Sequence, residues 1–211
     1  MAKILHIDSS SRSENSLSRQ LSKYFVEHWT KAHPADTVVY RDLVQESPGP
    51  LSADAIAAMY MPAEQRTKAM SSDYESLLEK NVEQVIDADV YVFGVPMYNF
   101  SVPGVFKSYI DRIVVVGRTF AYGPEGFKGL LQNKKAFVIR SSGASYAQPP
   151  FASMDFHEPF LRTIFGFIGI NDVTFIKVEG HSEEEIGASL KKAKEQIDFL
   201  AVEQNLVTSS R

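Results

Sequence analysis

The chain has 211 residues, a formal net charge of −4, 44% hydrophobic and 23% charged residues, and no cysteine. That size and composition predict a single domain over 1–211 with a sizeable core. The mild acidity and the lack of a basic run argue against a nucleic-acid partner, and the lack of cysteine excludes disulfides, thiolate chemistry and Cys-ligated metal or iron–sulfur sites in this chain.

Residues 3–8 are a short apolar run and predict the first strand. Because that strand starts almost at once, no signal peptide is expected. No apolar run reaches the length of a membrane span, so a soluble, cytoplasmic protein without a membrane partner is expected. Residues 9–16, SSSRSENS, are a polar loop dense in hydroxyls. An amphipathic helix follows over 17–29, ended by Pro34. Residues 37–40 are β-branched and predict the second strand. Residues 42–62 are irregular, punctuated by Pro48, Pro50 and Pro62, with a short helix over 53–59. A long helical stretch covers 64–86. The apolar run 90–95 predicts a fully buried parallel strand. Pro96 cannot donate to a ladder and marks its carboxyl end. Pro103 is placed as the first residue of a helix over 103–113.

Residues 114–129 read as a loop or short hairpin excursion, with Phe120 and Tyr122 expected in the core. The fourth main strand is 135–141. A helix over 154–167 is stopped by Gly166 or Gly169. The fifth strand is 173–178, and Ser182 with Glu185 forms a capping box that opens a final helix to 201. Residues 205–211 read as a frayed tail.

Strands alternating with helices imply an α/β fold whose parallel sheet is covered on both faces. Five strands of this kind fit the flavodoxin-like order 2-1-3-4-5, with ligands bound outside the carboxyl ends at the switch between strands 1 and 3. Three polar loops meet there.

The first loop reads as a phosphate cradle, since backbone N–H groups at a helix amino terminus favour an anion, and Ser10, Ser16 and Ser18 add hydroxyls. The loop has neither a P-loop pattern nor G-x-G-x-x-G, so a terminal monophosphate fits better than a triphosphate or a Rossmann dinucleotide. The competing reading is plain helix capping by the same serines. In the loop after strand 3, Met97, Tyr98, Asn99 and Phe100 supply an amide, two aromatics and backbone N–H groups that suit a flat, heteroatom-rich ring such as an isoalloxazine. Equally, Met97 and Phe100 pack in the core and Asn99 only holds the turn. The loop after strand 4 offers Ser141, Ser142 and the permissive Gly143, or is an ordinary turn. His6 is structural, His157 opens a helix, and no histidine pair has metal-ligand spacing. No G-x-S-x-G elbow is present.

These residues carry a resemblance. Ser10, Ser16-Leu17-Ser18, the run Pro96-Met97-Tyr98-Asn99-Phe100, Lys107-Ser108-Tyr109-Ile110-Asp111, Gly123-Pro124-Glu125-Gly126 and Phe165–Ile170 resemble the FMN-dependent NADH-azoreductase family, a bacterial branch of the flavodoxin-like quinone reductases. The resemblance implies non-covalent FMN, NADH as electron donor, quinone or azo compounds as substrates, a ping-pong mechanism and a homodimer with two sites at the interface. It places the phosphate on Ser10, Ser16, Leu17 and Ser18, and the ring on Met97, Tyr98, Asn99, Phe100, Ser141, Ser142, Gly143 and Ala144. No protein residue is assigned as catalytic. The last loop departs from the family's Ser-Arg-Gly-Gly, reading Ser141-Ser142-Gly143-Ala144, so an arginine and a glycine are missing. Two rival readings are a flavodoxin-like electron carrier and a flavin-free phosphate-binding protein. The long 42–86 insertion and the 114–129 excursion disfavour the carrier.

Overall fold

The structure is a computed structural model and describes residues 1–203. Its strands are β1 (Lys3–Asp8), β2 (Thr37–Asp42), β3 (Val90–Gly94), β4 (Phe120–Gly123), β5 (Gly126–Gly129), β6 (Lys135–Ser142) and β7 (Asp172–Glu179). Its helices are α1 (Leu17–Ala32), α2 (Ala53–Tyr60), α3 (Lys68–Leu77), α4 (Glu83–Asp87), α5 (Gly104–Ile113), α6 (Glu158–Ile168) and α7 (Glu183–Glu203). The main sheet is parallel, in the order β2-β1-β3-β6-β7. With the β4–β5 hairpin set aside, that is the 2-1-3-4-5 order of a flavodoxin-like fold. The expected tail at 205–211 lies outside the described residues.

The apolar runs sort by the strand's two-residue period. Val90 and Val92 join Leu21, Phe25 and Trp29 of α1 and Ala193 and Ile197 of α7 on one face. Tyr91 and Phe93 join Phe106 and Tyr109 of α5 and Leu161 and Phe165 of α6 on the other. All five residues of β3 are buried, because it runs through the middle of a sheet covered on both sides. Among the described residues no helix is long and apolar enough to cross a membrane.

Four expectations are corrected. The stretch 64–86 is not one helix: a 3-10 turn at Ala63–Gln65 and a π turn at Leu78–Val82 flank α3. At the π turn, buried Arg41 takes the Lys80 carbonyl at 2.7 Å, a side chain inserted where a regular ladder would run. Pro103 is the cap of α5 and not its first residue; its extended ψ of 147° leaves its carbonyl to accept from Phe106 and Lys107. The helix expected from 154 begins at Glu158. Pro159 brings no N–H to the first turn, and the Asp155 carboxylate caps the His157 and Glu158 amides at 3.0 and 3.1 Å. Tyr122 is 72% exposed and lies edge-on to Phe120 outside the core; Phe167 of α6 packs against Phe120 and Phe127 instead. Of the two glycines offered as stops for α6, Gly169 is the one with left-handed φ, at 102°.

Candidate active site

The carboxyl ends of β1, β3 and β6 meet at one edge of the sheet. Ser9 donates to the Gly94 carbonyl from both its amide and its hydroxyl, each at 3.0 Å, which fixes where the first loop leaves the sheet. Ser16 caps α1 by accepting from the Arg19 amide at 3.4 Å, and its hydroxyl lies 3.2 Å from that of Ser18. Arg19 donates to the Ser10 carbonyl through Nε (3.1 Å) and Nη2 (2.7 Å), and forks onto Asp42 with two bonds of 2.7 Å. Burial alone would raise the Asp42 carboxyl, but the bonds from Arg19 and from the Val44 amide hold it below the usual carboxylate range. The loop is thus braced in shape. The first turn of α1 carries no acidic residue, so its dipole is free to act on an anion.

The second wall is Pro96, Met97 and Tyr98. Tyr98 and Ser101 exchange backbone bonds of 2.9 and 3.1 Å around Asn99 and Phe100, whose φ angles are 47° and 70°. Positive φ is tolerated by asparagine but strained for a bulky phenylalanine. In this turn the Asn99 and Phe100 N–H groups donate to no acceptor among the described residues. The Tyr98 hydroxyl lies 3.4 Å from Ser10 Oγ and 3.2 Å from the Ser11 amide, joining the two loops.

The third wall is the end of β6. Ser142 Oγ donates to the Ala144 carbonyl at 2.8 Å and closes the turn. Gly143 is exposed, and a Cβ there would meet nothing within 4 Å.

Between these walls lies a cavity of about 210 Å³. Of the expected contacts, Ser10, Ser16, Leu17, Met97, Tyr98, Ser141, Ser142 and Gly143 line it. Four do not. Ser18 is fully buried beneath Ser16. Asn99 and Phe100 sit at the exposed rim. Ala144 faces an adjoining cavity of about 340 Å³. Sequence reasoning missed Arg12, Asn15, Gly180 and Ile186, which complete the lining. Arg12 and Asn15 were findable, since they lie inside the serine loop. Gly180 and Ile186 were hidden behind a capping box that reads as a helix start and nothing more.

The donor set fits FMN. Hydroxyls, the Arg12 guanidinium and a helix amino terminus with no acidic residue in its first turn suit a monophosphate. Unengaged N–H groups and open space at Gly143 suit the polar edge of a flat ring. A larger cavity of about 680 Å³, lined by Arg41, Glu46, Lys80 and Arg112 among others, contains no aromatic side chain and none of the three loops. Among the described residues no acidic or histidine cluster is arranged to hold a metal.

The chain matches the flavodoxin-like fold family over residues 2–200. It is 46% identical over 184 residues to an FMN-dependent NADH:quinone oxidoreductase of Nostoc punctiforme, covering 87% of this chain and 89% of that one. It is 42% identical over 205 residues to a protein of the same name from Hydrogenovibrio crunogenus, covering 93% and 98%. The crystal structure of an azoreductase from Bacillus anthracis superposes with a TM-score of 0.85 at 29% identity, covering 94% of this chain and all of the other. The chain therefore belongs to the flavodoxin-like fold family and, within it, to the FMN-dependent NADH:quinone oxidoreductases.

Proposed function

We propose that the protein uses NADH to reduce quinones and to cleave aromatic azo compounds to amines, with FMN seated between the serine loop and the loop after β3. The observation that carries the reading is the pair of adjacent left-handed residues, Asn99 and Phe100, whose N–H groups are unengaged and which follow directly on Met97 and Tyr98, lining residues of the same cavity as Ser16 and Leu17 at a helix amino terminus free of acidic residues. Strain of that kind persists where the surrounding structure enforces it, and it concentrates at ligand sites.

Once bound, FMN would supply the redox chemistry, two-electron transfer from NADH to the acceptor in ping-pong order. The chain's own residues bind and orient. Ser10, Ser16, Leu17 and Arg12 would hold the phosphate end, with Ser18 acting through Ser16. Met97 and Tyr98 would cover the ring, the rim amides of Asn99 and Phe100 would offer donors to its polar edge, and Ser141, Ser142 and Gly143, with Ala144 behind them, would hold it from the end of β6. N–H groups fixed in place before the reaction favour negative charge developing at that edge. A quinone needs one two-electron cycle; azo cleavage to two amines needs two.

A second copy of the chain is the proposed partner. Phe100, Phe151 and Phe156 are 39%, 48% and 62% exposed, an apolar surface around the crevice that a protomer would cover. The test is a fluorescence titration of the protein with FMN, followed by an assay of quinone-dependent NADH oxidation. Tight one-to-one binding with turnover supports the reading. FMN binding without turnover on any quinone or azo dye leaves an electron carrier, and no FMN binding leaves a flavin-free phosphate binder.

A further inference from the structure

Strand β6 carries a fully buried guanidinium, Arg140, two residues before the turn that closes the site. A cation so placed is costly unless it is paired. Arg140 is paired twice, through Nη1 to Asp155 and through Nη2 to Glu179. Each partner leads to a different wall of the cavity.

Asp155 accepts the His157 and Glu158 amides at 3.0 and 3.1 Å. His157 Nε2 lies 3.1 Å from the Val95 carbonyl, immediately before Pro96 and Met97. A carbonyl only accepts, so Nε2 carries the proton. Between Asp155 and His157, the Phe156 amide donates to the Phe100 carbonyl at 3.0 Å, reaching the strained turn itself. Glu179 is followed by Gly180, whose amide donates to the Ser142 carbonyl at 3.3 Å. Through one guanidinium, the end of β3, the end of β6 and the end of β7 are held in register. The planar fork matters, because its two terminal nitrogens reach carboxylates on separate elements in a fixed geometry that a single ammonium nitrogen does not reproduce. The arginine missing at position 142 thus has a counterpart two residues earlier in the strand.

We infer that Arg140 is a positioning residue for FMN: the Asp155–Arg140–Glu179 clamp sets the spacing of the ring-facing loops and balances buried charge beside them. The inference rests on the FMN reading of this cavity. With one guanidinium and two carboxylates, the clamp carries one net negative charge.

The test measures FMN dissociation constant and the midpoint potential of bound FMN in wild type, Arg140→Gln, Arg140→Lys and the double variant Arg140→Gln/Glu179→Gln, with Phe165→Leu as a core-destabilised control. Arg140→Gln is expected to weaken FMN at least tenfold and to lower its potential, because two unbalanced carboxylates oppose the charge of the reduced ring. Arg140→Lys keeps the charge and loses the fork, so affinity falls while the potential stays near wild type. The double variant restores the net charge, so the potential returns and the affinity does not. Phe165→Leu lowers thermal stability and leaves the potential unchanged. Wild-type affinity and potential in Arg140→Gln, or equal shifts in Phe165→Leu, overturn the positioning role alone. A wild-type protein that takes up no FMN overturns the reading of the cavity and the inference with it. If Arg140→Gln does not fold, the double variant and Arg140→Lys carry the same affinity test.

Discussion

The Tyr98 hydroxyl accepts a hydrogen bond from the Ser11 backbone amide at 3.2 Å. One phenol oxygen therefore joins the loop assigned to the phosphate with the loop assigned to the ring, and it also lies 3.4 Å from Ser10 Oγ. Tyr98→Phe keeps the ring surface and removes only this link. A lost hydrogen bond is worth about 1 kcal/mol, so FMN affinity is expected to fall roughly fivefold with little change in melting temperature. Isothermal titration with FMN checks it; unchanged affinity would show the two loops to be positioned independently.

The turn at Asn99 and Phe100 yields a paired substitution. Asn99→Gly removes the amide and suits a φ of 47°. Asn99→Ala removes the amide and keeps the strain. If the side chain touches FMN, both variants weaken binding or slow flavin reduction. If Asn99 only holds the turn, Asn99→Gly retains affinity and turnover, while Asn99→Ala loses about 1 kcal/mol of stability. Urea unfolding and FMN titration of both separate the two roles.

The main sheet was legible because its strands are apolar runs with sharp ends. Val90 to Val95 followed by Pro96 admits little but a buried strand reaching its carboxyl end. The serine and P-M-Y-N-F loops were legible because their composition is unusual for turns. What stayed hidden depended on tertiary partners. No local pattern shows that Arg41 enters the helix at Lys80, or that Asp155 delays α6 to Glu158. Arg140 reads as a polar residue in an apolar strand until Asp155 and Glu179, which are 15 and 39 residues away, arrive beside it.

Gly94, the last residue of β3, has no room for a side chain. A Cβ there would lie 2.1 Å from Asp8 Oδ1. Asp8 cannot swing aside cheaply, since it is buried and accepts from Ser22 at 2.8 Å and from Tyr40 at 3.2 Å. Gly94→Ala is expected to cost about 2 kcal/mol or more, read as a lowered urea midpoint. A midpoint equal to wild type would mean that the β1–β3 junction yields freely.

His157 gives the fold a pH dependence. Burial, reinforced by the nearby Arg140 cation, depresses its imidazole to about 4. The unfolded chain takes up a proton near 6.5 that the folded chain refuses, so the stabilising contribution is complete above that pH. It is lost as pH falls toward about 4, a change of about 3 kcal/mol at most. Wild type should therefore lose more stability between pH 7.5 and pH 4.5 than His157→Gln, which keeps a donor for the Val95 carbonyl. Parallel losses in the two proteins would remove His157 as the cause.

The central claim is that one crevice holds FMN and serves NADH and the acceptor in turn. Its most direct test is anaerobic stopped-flow of the FMN-loaded protein. NADH alone should bleach the flavin absorbance in a single fast phase, and a quinone mixed afterwards should restore it, with both rates fast enough to account for turnover. Bleaching that requires the quinone to be present, or no bleaching by NADH at all, would contradict the account.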